Sequence, residues 1–291
     1  MPMTRAGEMP SDEHEGLFPL HVVDFHWEEF EPHMECFDSA DDDFCEVDLE
    51  DVRFKVSRRK VCIGQWKDGE YLPCPDRALV SRFEQCAKCA GVSFIPDQEC
   101  VFEPKCDGTN PVCNAMGRDM EFCRREHVLY IAFYDTRMKI GMSSSRRIDK
   151  RLIEQGADAY SIIGKFGSRL AARTNEKELS SRLRIPQFYR QETLLQNLSR
   201  PVDSKGIESR LMGIGETLRT SDGLVPEPLV WLDKYPIELP LREAPVLVDS
   251  WGEHSGDVVG MKGKWLIFES GGLKALSMPD FPARFLARTI A

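Results

Sequence analysis

The sequence predicts an α+β fold in which β-rich segments at both ends enclose a cysteine-rich module and an α/β centre. Three observations lead to this prediction. Short runs of β-branched and aromatic residues occupy residues 18–61 and 246–291. Eight of the ten cysteines lie between Cys62 and Cys123. Directly after them, a pattern of strand, turn, strand and helix begins at His127.

The N-terminal part of the chain divides into a tail and a strand-rich region. Residues 1–17 are polar and acidic and lack periodicity, so we expect a disordered tail. Residues 18–61 carry strand-like runs separated by the acidic stretch 38–43, which is typical of a solvated turn. We expect three or four antiparallel strands in this region.

The C-terminal part begins with a proline-rich segment. Six prolines in residues 201–245 interrupt the pattern too often for long elements, so this segment is expected to be a connector. Within residues 246–291, two strand-like runs around Gly271 and Gly272 predict a hairpin over 258–276. Because neither terminal set of strands can bury two faces alone, we expect both to join in one sheet or small barrel.

Charge is distributed unevenly along the chain. The formal net charge of −10 argues against indiscriminate binding of nucleic acid, but residues 124–220 carry +8 and residues 1–60 carry −11. The positive segment is either a solvated helix face or a surface that faces phosphates. No apolar run is long enough for a membrane span, and the polar start lacks the apolar core of an export signal. We therefore expect a cytoplasmic protein without membrane contact.

Crowded thiols in a chain without an export signal favour a metal site over disulfides. Cys86 and Cys89 form a C-x2-C knuckle, whose two thiolates can point at one tetrahedral zinc ion at a distance of about 2.3 Å. The candidates for the other two ligands are Cys106 and Cys113 first, then Cys100 and Cys123.

The remaining thiols of this region leave two interpretations open. Cys62 and Cys74 could complete a second zinc site, because eight cysteines match two ions with four thiolates each. Alternatively, several of the cysteines are small buried hydrophobic residues. The predicted zinc module covers residues 62–125.

The α/β centre is predicted over residues 126–200. VLYIAFYDTRMKIGM forms a hairpin around its polar turn, and the serines at 143–145 are candidates for the N-cap of the helix that follows. The first turns of that helix are rich in arginine and lysine, and positive side chains beside exposed amide groups form a site suited to phosphate. The residues expected to contact phosphate are Lys139, Gly141, Ser144, Arg146, Arg147 and Lys150.

The triplets Val128-Leu129-Tyr130 and Lys139-Ile140-Gly141 resemble, in order and spacing, the two motifs of the GIY-YIG nuclease superfamily. Together with the cysteine cluster upstream, the chain is also similar to a prokaryotic family, found in archaea and actinobacteria, that joins a zinc-binding module to this unit. The resemblance implies a GIY-YIG-like α/β domain at the centre of the chain. It names an arrangement and no activity.

The superfamily resemblance implies a role for each of several residues. Tyr130 would assist the attack of water, Arg151 would steady the scissile phosphate, and Glu176 would hold one Mg²⁺ or Mn²⁺ ion, with Glu178 as the alternative carboxylate. Lys139 stands where the second motif usually has a tyrosine, which removes a hydroxyl that can order water and adds a charge suited to binding phosphate.

Ordinary structural explanations compete with these roles. Tyr130 could pack as a strand residue, and Arg151 could be a charge on the surface of a helix. Glu176 or Glu178 could pair with a neighbouring cation such as Arg173. Gly141 could be required by a close backbone approach, whatever the function.

We expect a zinc-containing protein that binds nucleic acid, with RNA such as tRNA or rRNA favoured over DNA. Zinc knuckles and basic helix ends suit structured RNA without needing a helix that reads a groove. Zinc is expected to hold the neighbouring hairpin and helix rigid. One alternative is a metal-dependent endonuclease of the same fold. The other is an adaptor whose acidic N-terminal region recruits a basic protein partner.

Overall fold

The computed structural model describes residues 19–81, 83–90 and 121–288, and the predicted tail 1–17 lies outside them. The strands are β1 (Leu20–Glu28), β2 (Glu31–Asp38), β3 (Asp43–Glu46), β4 (Asp51–Val56), β5 (Lys60–Val61), β6 (Gln65–Lys67), β7 (Glu70–Leu72), β8 (Leu79–Val80), β9 (His127–Tyr134), β10 (Arg137–Ser144), β11 (Ala159–Phe166), β12 (Val230–Trp231), β13 (Val246–Leu247), β14 (Gly252–Lys262), β15 (Trp265–Glu269), β16 (Leu273–Ser277) and β17 (Phe285–Arg288). The α-helices are α1 (Ala87–Ala90), α2 (Glu121–Arg124), α3 (Ile148–Gln155), α4 (Arg169–Leu183), α5 (Gln191–Leu195) and α6 (Ser204–Asp222).

Strands from both ends of the chain form one sheet in the order β13-β16-β15-β14-β4-β17-β1-β2-β3. Strand β4 joins the two ends because it pairs antiparallel with both β14 and β17. The expectation that the terminal strands share a sheet is confirmed, as is the turn between Asp38 and Asp43; residues 18–61 hold four strands of this sheet, β1 to β4, and also β5, which pairs with β8 in a separate sheet. Within the described residues the sheet has open edges at β13 and β3, so it is not a closed barrel.

The predicted C-terminal hairpin is present as β15 and β16, which pair antiparallel around the turn at residues 270–272. Gly271 and Gly272 both have positive φ, as the turn requires. The structure adds a second hairpin before it, because β14 pairs with β15 across Gly263.

A second sheet, in the order β10-β9-β11-β12, forms the centre of the molecule. All eight residues of β9 are buried. On one face, Tyr130 and Tyr134 pack into a core shared with α3 and the nine-stranded sheet. On the other face, Leu129, Ile131 and Phe133 pack with residues of α4 and α6. Strand β10 is the edge of this sheet, and the backbone amide of Ile140 on it donates to the carbonyl of Pro186 at 3.1 Å.

The expectation that residues 201–245 lack long elements is wrong, because α6 spans nineteen residues there. Pro201 and Pro226 lie outside the helix, where proline marks a boundary and interrupts nothing. The Asp203 side chain caps the first turn by accepting a hydrogen bond from the backbone amide of Gly206 at 2.9 Å. Gly223 ends the helix in the left-handed conformation. None of the helices in the described ranges combines the length and the apolar character of a membrane-spanning segment.

The end of α3 rests directly on the nine-stranded sheet. A Cβ atom on Gly263 would lie 2.4 Å from the backbone nitrogen of Gly156, so the two backbones meet where only glycine fits. The buried ammonium of Lys262 pairs with the carboxylate of Asp158 beside this contact. The hydroxyl of Tyr235 donates to the carbonyl of Ala157 at 3.1 Å. These contacts fix the central unit on the terminal sheet.

Candidate metal centre and candidate phosphate site

Four cysteine sulfurs come together in the described part of the chain. The Sγ atoms of Cys62, Cys74, Cys86 and Cys89 all lie within 4.8 Å of one another, and those of Cys74 and Cys86 are 3.9 Å apart. A tetrahedral ion with metal–sulfur bonds of about 2.3 Å spaces its ligands about 3.8 Å apart. The four thiols can therefore hold a metal ion.

Short elements and turns place these thiols. Cys62 follows β5, Cys74 follows the β6–β7 hairpin, and Cys86 and Cys89 lie on either side of the start of α1. The backbone amide of Cys86 donates to the Sγ atom of Cys62 at 3.2 Å, and that of Gly64 donates to the same sulfur at 3.4 Å. Burial raises the pKa of Cys62, and these two amide hydrogen bonds oppose that rise and favour the thiolate form that binds metal.

The knuckle pair Cys86 and Cys89 lies in this cluster, but the thiols that complete it are Cys62 and Cys74, which the sequence had suggested for a second ion. Cys100, Cys106 and Cys113 lie outside the described residues. Cys123 is buried on α2, which packs against α4, and is not one of the four. Cys62 and Cys74 are identified by their proximity to the knuckle in the fold and could not be identified from spacing along the chain.

The cysteine cluster is attached to the terminal sheet. The rings of Trp66 and Phe44 stack with their centroids 5.4 Å apart, and Tyr71 contacts both Phe44 and Phe37 at 4.9 Å. The backbone amide of Val61 donates to the carbonyl of Ala283 at 2.7 Å. The expectation that the metal holds the central hairpin rigid therefore needs correction, because these contacts run to β2, β3 and the segment before β17.

A second polar cluster lies at the edge strand β10. A Cβ atom on Gly141 would lie 2.5 Å from the hydroxyl oxygen of Tyr130, which is buried on the neighbouring strand β9. Burial raises the pKa of Tyr130, while the charge and hydrogen bond of Arg151 and a hydrogen bond with Gln155 lower it. Tyr130, Gly141 and Arg151, predicted from sequence as site residues, are thus in one place.

Lys139 belongs to the same cluster. Its ammonium donates a hydrogen bond to the side-chain oxygen of Gln155. Burial lowers the pKa of Lys139 to about 8, helped by the positive charge of Arg151 and opposed by the carboxylate of Glu176. Lys139, Arg151 and Glu176 therefore act on one another electrostatically at this place.

The structure distinguishes the two candidate carboxylates of α4. Glu176 is buried and accepts a hydrogen bond from Arg173 at 2.5 Å, and the same guanidinium donates to Gln187 at 2.9 Å. Glu178 is exposed, since two residues along a helix correspond to about 200° of rotation. Glu176 is the carboxylate that acts on both Tyr130 and Lys139, and it forms the pair with Arg173 that is ordinary for a helix.

The start of α3 differs from the predicted capping arrangement. The N-cap residue is Arg147, with no side-chain cap, so the prediction of a serine cap is wrong. The reason is that β10 continues through Ser144, whereas the Ser145 hydroxyl donates to the Glu126 carboxylate at 2.7 Å. The cations Arg146, Arg147 and Lys150 are exposed, as a phosphate-facing surface requires.

Together, the fold and these two clusters define an α+β protein with a four-cysteine site on its terminal sheet and a basic cluster on its central one. The chain belongs to the protein family of unknown function DUF2797, whose match spans residues 50–282. That range contains all four clustered cysteines and the whole β9–β10 hairpin. No curated protein and no solved structure matches the chain.

Proposed function

We propose that this protein binds nucleic acid, with RNA favoured, through the edge of β10 and the start of α3, and that it carries one structural zinc ion. The observation that carries the proposal is the meeting of Tyr130, Lys139 and Arg151 at one place. The GIY-YIG resemblance assigns Tyr130 and Arg151 to a common phosphate site, and the effect of Arg151 in lowering the pKa of Tyr130, which burial raises, supports that assignment.

Zinc is the ion that suits four thiols best. Thiolate ligands select zinc and other soft ions over Mg²⁺ and Ca²⁺, which prefer oxygen, and four sulfurs in tetrahedral spacing are typical of structural zinc. Cys62, Cys74, Cys86 and Cys89 would hold it. The ion would close the segment from Cys62 to Cys89, in which the strands are only two or three residues long and bury little apolar surface.

The phosphate-binding part of the proposal depends on exposed positive charge. Arg146, Arg147, Lys150 and Arg151 are all exposed on or just before the first turn of α3. An arginine fork binds two phosphate oxygens at once, and exposed cations contribute the salt-sensitive affinity for a nucleic-acid backbone. The +8 charge of residues 124–220 within a chain of net charge −10 restricts that affinity to one surface.

Binding is favoured over cleavage by the state of the catalytic candidates. Glu176 is 5% exposed and paired with Arg173, so it is not free to hold a divalent cation. Tyr130 is 1% exposed, which keeps its hydroxyl from a substrate. Lys139 replaces the second tyrosine of the superfamily and supplies a charge in place of a hydroxyl.

The test is fluorescence anisotropy with a labelled structured RNA and the DNA of the same sequence, using wild-type protein and two variants. We expect Arg151→Ala to weaken RNA binding about tenfold, which corresponds to about 1.4 kcal/mol. Arg219→Ala, at an exposed position near the end of α6, serves as the matched control and should bind as the wild type does. Equal affinities for Arg151→Ala and the wild type would contradict the proposed site.

An endonuclease is the second candidate, and the closeness of Arg151 to Tyr130, which lowers the pKa of that hydroxyl against the effect of burial, favours it. It predicts cleavage of RNA or DNA in Mg²⁺ or Mn²⁺ that Glu176→Gln abolishes, because the cation would lose its carboxylate. Glu178→Gln, two residues away on the exposed side of α4, is the control. Cleavage that is lost in Glu176→Gln and kept in Glu178→Gln would replace the proposal of binding alone. Substrate that stays intact with the wild-type protein would support binding alone.

A further inference from the structure

A pocket of about 390 Å³ opens at the turn between β9 and β10. It lies between that turn, the end of α4, the 3-10 helix Gln196–Ser199 and α6. Its lining residues are Asp135, Thr136, Arg137, Met138, Arg184, Ile185, Pro186, Tyr189, Asn197, Arg200 and Arg210.

Four arginines line this one pocket, and each comes from a different part of the fold. Arg137 begins β10, Arg184 ends α4, Arg200 follows the 3-10 helix, and Arg210 lies on α6. Among the described residues none of these four arginines forms an ion pair with a carboxylate. All four arginines are exposed, and their convergence without a carboxylate partner leaves a local excess of positive charge that attracts an anion.

The single carboxylate of the lining does not balance this charge. Asp135 Oδ1 accepts a hydrogen bond from the backbone amide of Asp203 at 3.0 Å, which ties it to the start of α6. Even with Asp135 ionised, the lining keeps an excess of three positive charges. The pocket is therefore suited to an anion with more than one negative charge.

Neutral side chains fix the walls of the pocket. The amide nitrogen of Asn197 donates to the carbonyl of Tyr134 at 3.0 Å, and its oxygen accepts from Arg137 Nε at 3.3 Å. The hydroxyl of Tyr189 donates to the carbonyl of Met138 at 2.8 Å. Burial raises the pKa of Tyr189, and the charges of Arg137 and Arg210 lower it.

We infer that this pocket binds a phosphate-bearing ligand of the size of pyrophosphate or a single nucleotide. Arginine forks recognise phosphate oxygens in pairs, and several forks around one cavity suit a group with two or more negative charges. A volume of about 390 Å³ accommodates a small ligand and not a folded polymer. The source of the phosphate is either a free nucleotide or the end of an oligonucleotide.

The pocket lies further along β10 than the cluster proposed for nucleic-acid binding, although Lys139 of that cluster is only two residues, about 7 Å, from Arg137. In the pairing of β9 with β10, Arg137 lies opposite Tyr134 and Gly141 lies opposite Tyr130. Four residues along a strand correspond to about 13 Å. The pocket and the Tyr130 cluster therefore require separate tests, and either can fail alone.

The test is isothermal titration of the full chain with inorganic pyrophosphate at low ionic strength. We expect one saturable site, and affinity at least tenfold weaker in Arg137→Ala and in Arg210→Ala. Arg219→Ala is the control, because it lies nine residues further along α6 and about 180° around the helix from Arg210. A thermal melt of each variant verifies that it is folded. Absence of saturable binding, or an equal loss in Arg219→Ala, would overturn the inference.

Competition then identifies the source of the phosphate. Displacement of pyrophosphate by ADP supports a nucleotide, and displacement only by an oligonucleotide with a 5′-phosphate, and not by its 5′-hydroxyl form, supports a nucleic-acid end. Arg151→Ala tests whether pyrophosphate binds at the Tyr130 cluster instead of in the pocket. If Arg151→Ala weakens pyrophosphate binding as much as Arg210→Ala does, the anion binds at the Tyr130 cluster and the pocket assignment is wrong.

Discussion

The hydroxyl of Tyr130 fills the space that a side chain at position 141 would occupy. The two residues lie opposite each other on β9 and β10, and a Cβ on Gly141 would come within 2.5 Å of the hydroxyl oxygen. Tyr130 is 1% exposed, so its ring has little room to move. The glycine is thus required by packing, and the packing in turn holds the hydroxyl beside Arg151.

This contact makes Gly141→Ala a strong test of the packing at the site. We expect the substitution to lower the free energy of unfolding by about 1–3 kcal/mol, the usual cost of overfilling a packed interior. Urea denaturation measures the change. The control is Gly213→Ala on α6, where no atom lies within 4 Å of the added carbon. Helix propensity predicts that this control is neutral or stabilising by up to about 1 kcal/mol. Equal losses in both variants would contradict the packing argument.

The metal centre predicts a specific pattern of metal loss. Wild-type protein should contain one zinc ion per chain, and Cys62→Ser and Cys74→Ser should each remove most of it, because serine does not replace a thiolate ligand. Elemental analysis of the purified variants measures the content. Cys45→Ser is the control, since that half-buried thiol lies on β3, outside the cluster. Retention of zinc in Cys62→Ser together with its loss in Cys106→Ser would favour the ligand set first expected from the sequence.

Lys139 predicts a pH dependence of stability. Its pKa is about 8 in the folded protein, mainly because of burial, and returns to the ordinary value of about 10.5 on unfolding. Between these values the unfolded chain binds more protons, so the contribution of Lys139 to stability rises with pH. Below pH 8 both states carry the proton and the dependence disappears.

The measurement is the free energy of unfolding of wild-type protein relative to Lys139→Gln, from denaturant titrations at pH 7, 8, 9 and 10. Above pH 8 the free energy of unfolding of the wild type should rise relative to that of Lys139→Gln, by at most about 3 kcal/mol in total. Other titrating groups, including the thiols and tyrosines, cancel in the comparison. A difference that stays constant from pH 7 to 10 would show that Lys139 titrates normally.

The ion pair between Lys262 and Asp158 joins the central unit to the terminal sheet. The two side chains are 4% and 11% exposed, and Asp158 also accepts from the backbone amide of Asp135 at 2.6 Å. We expect Lys262→Met to lower the free energy of unfolding by about 3–5 kcal/mol, because it leaves a buried carboxylate without its partner. The double variant Lys262→Met with Asp158→Asn should recover part of this loss. The loss caused by Asp158→Asn is measured both in the wild type and in Lys262→Met. If the two losses of free energy of unfolding are equal, the pair is not coupled.

Part of the architecture could be predicted because it depends on local patterns. Alternating residues and glycine turns predicted the strands at both ends, and the order VLYIAFY, turn, MKIGM predicted the hairpin of β9 and β10. The helix α6 could not be predicted by counting prolines, because what matters is that Pro201 and Pro226 stand at its ends.

The sites depend on contacts between distant parts of the chain. Cys62 and Cys86 are 24 residues apart. Only the folded arrangement of the strand pairs β5–β8 and β6–β7 shows that the two thiols meet. The four arginines of the pocket are spread over residues 137–210, with no spacing that marks them as a group. By contrast, Tyr130 and Gly141 could be paired from sequence because a tight hairpin fixes the register of its strands.

The most direct measurement of the central claim is the salt dependence of RNA binding for wild-type protein and for the triple variant Arg146→Ala, Arg147→Ala, Lys150→Ala. Each phosphate contact on a single strand contributes about 0.7 to the slope of log affinity against log salt concentration. We predict that the triple variant binds more weakly and that the magnitude of its slope falls by about 2. A slope identical to that of the wild type would contradict the claim that the start of α3 contacts the nucleic-acid backbone.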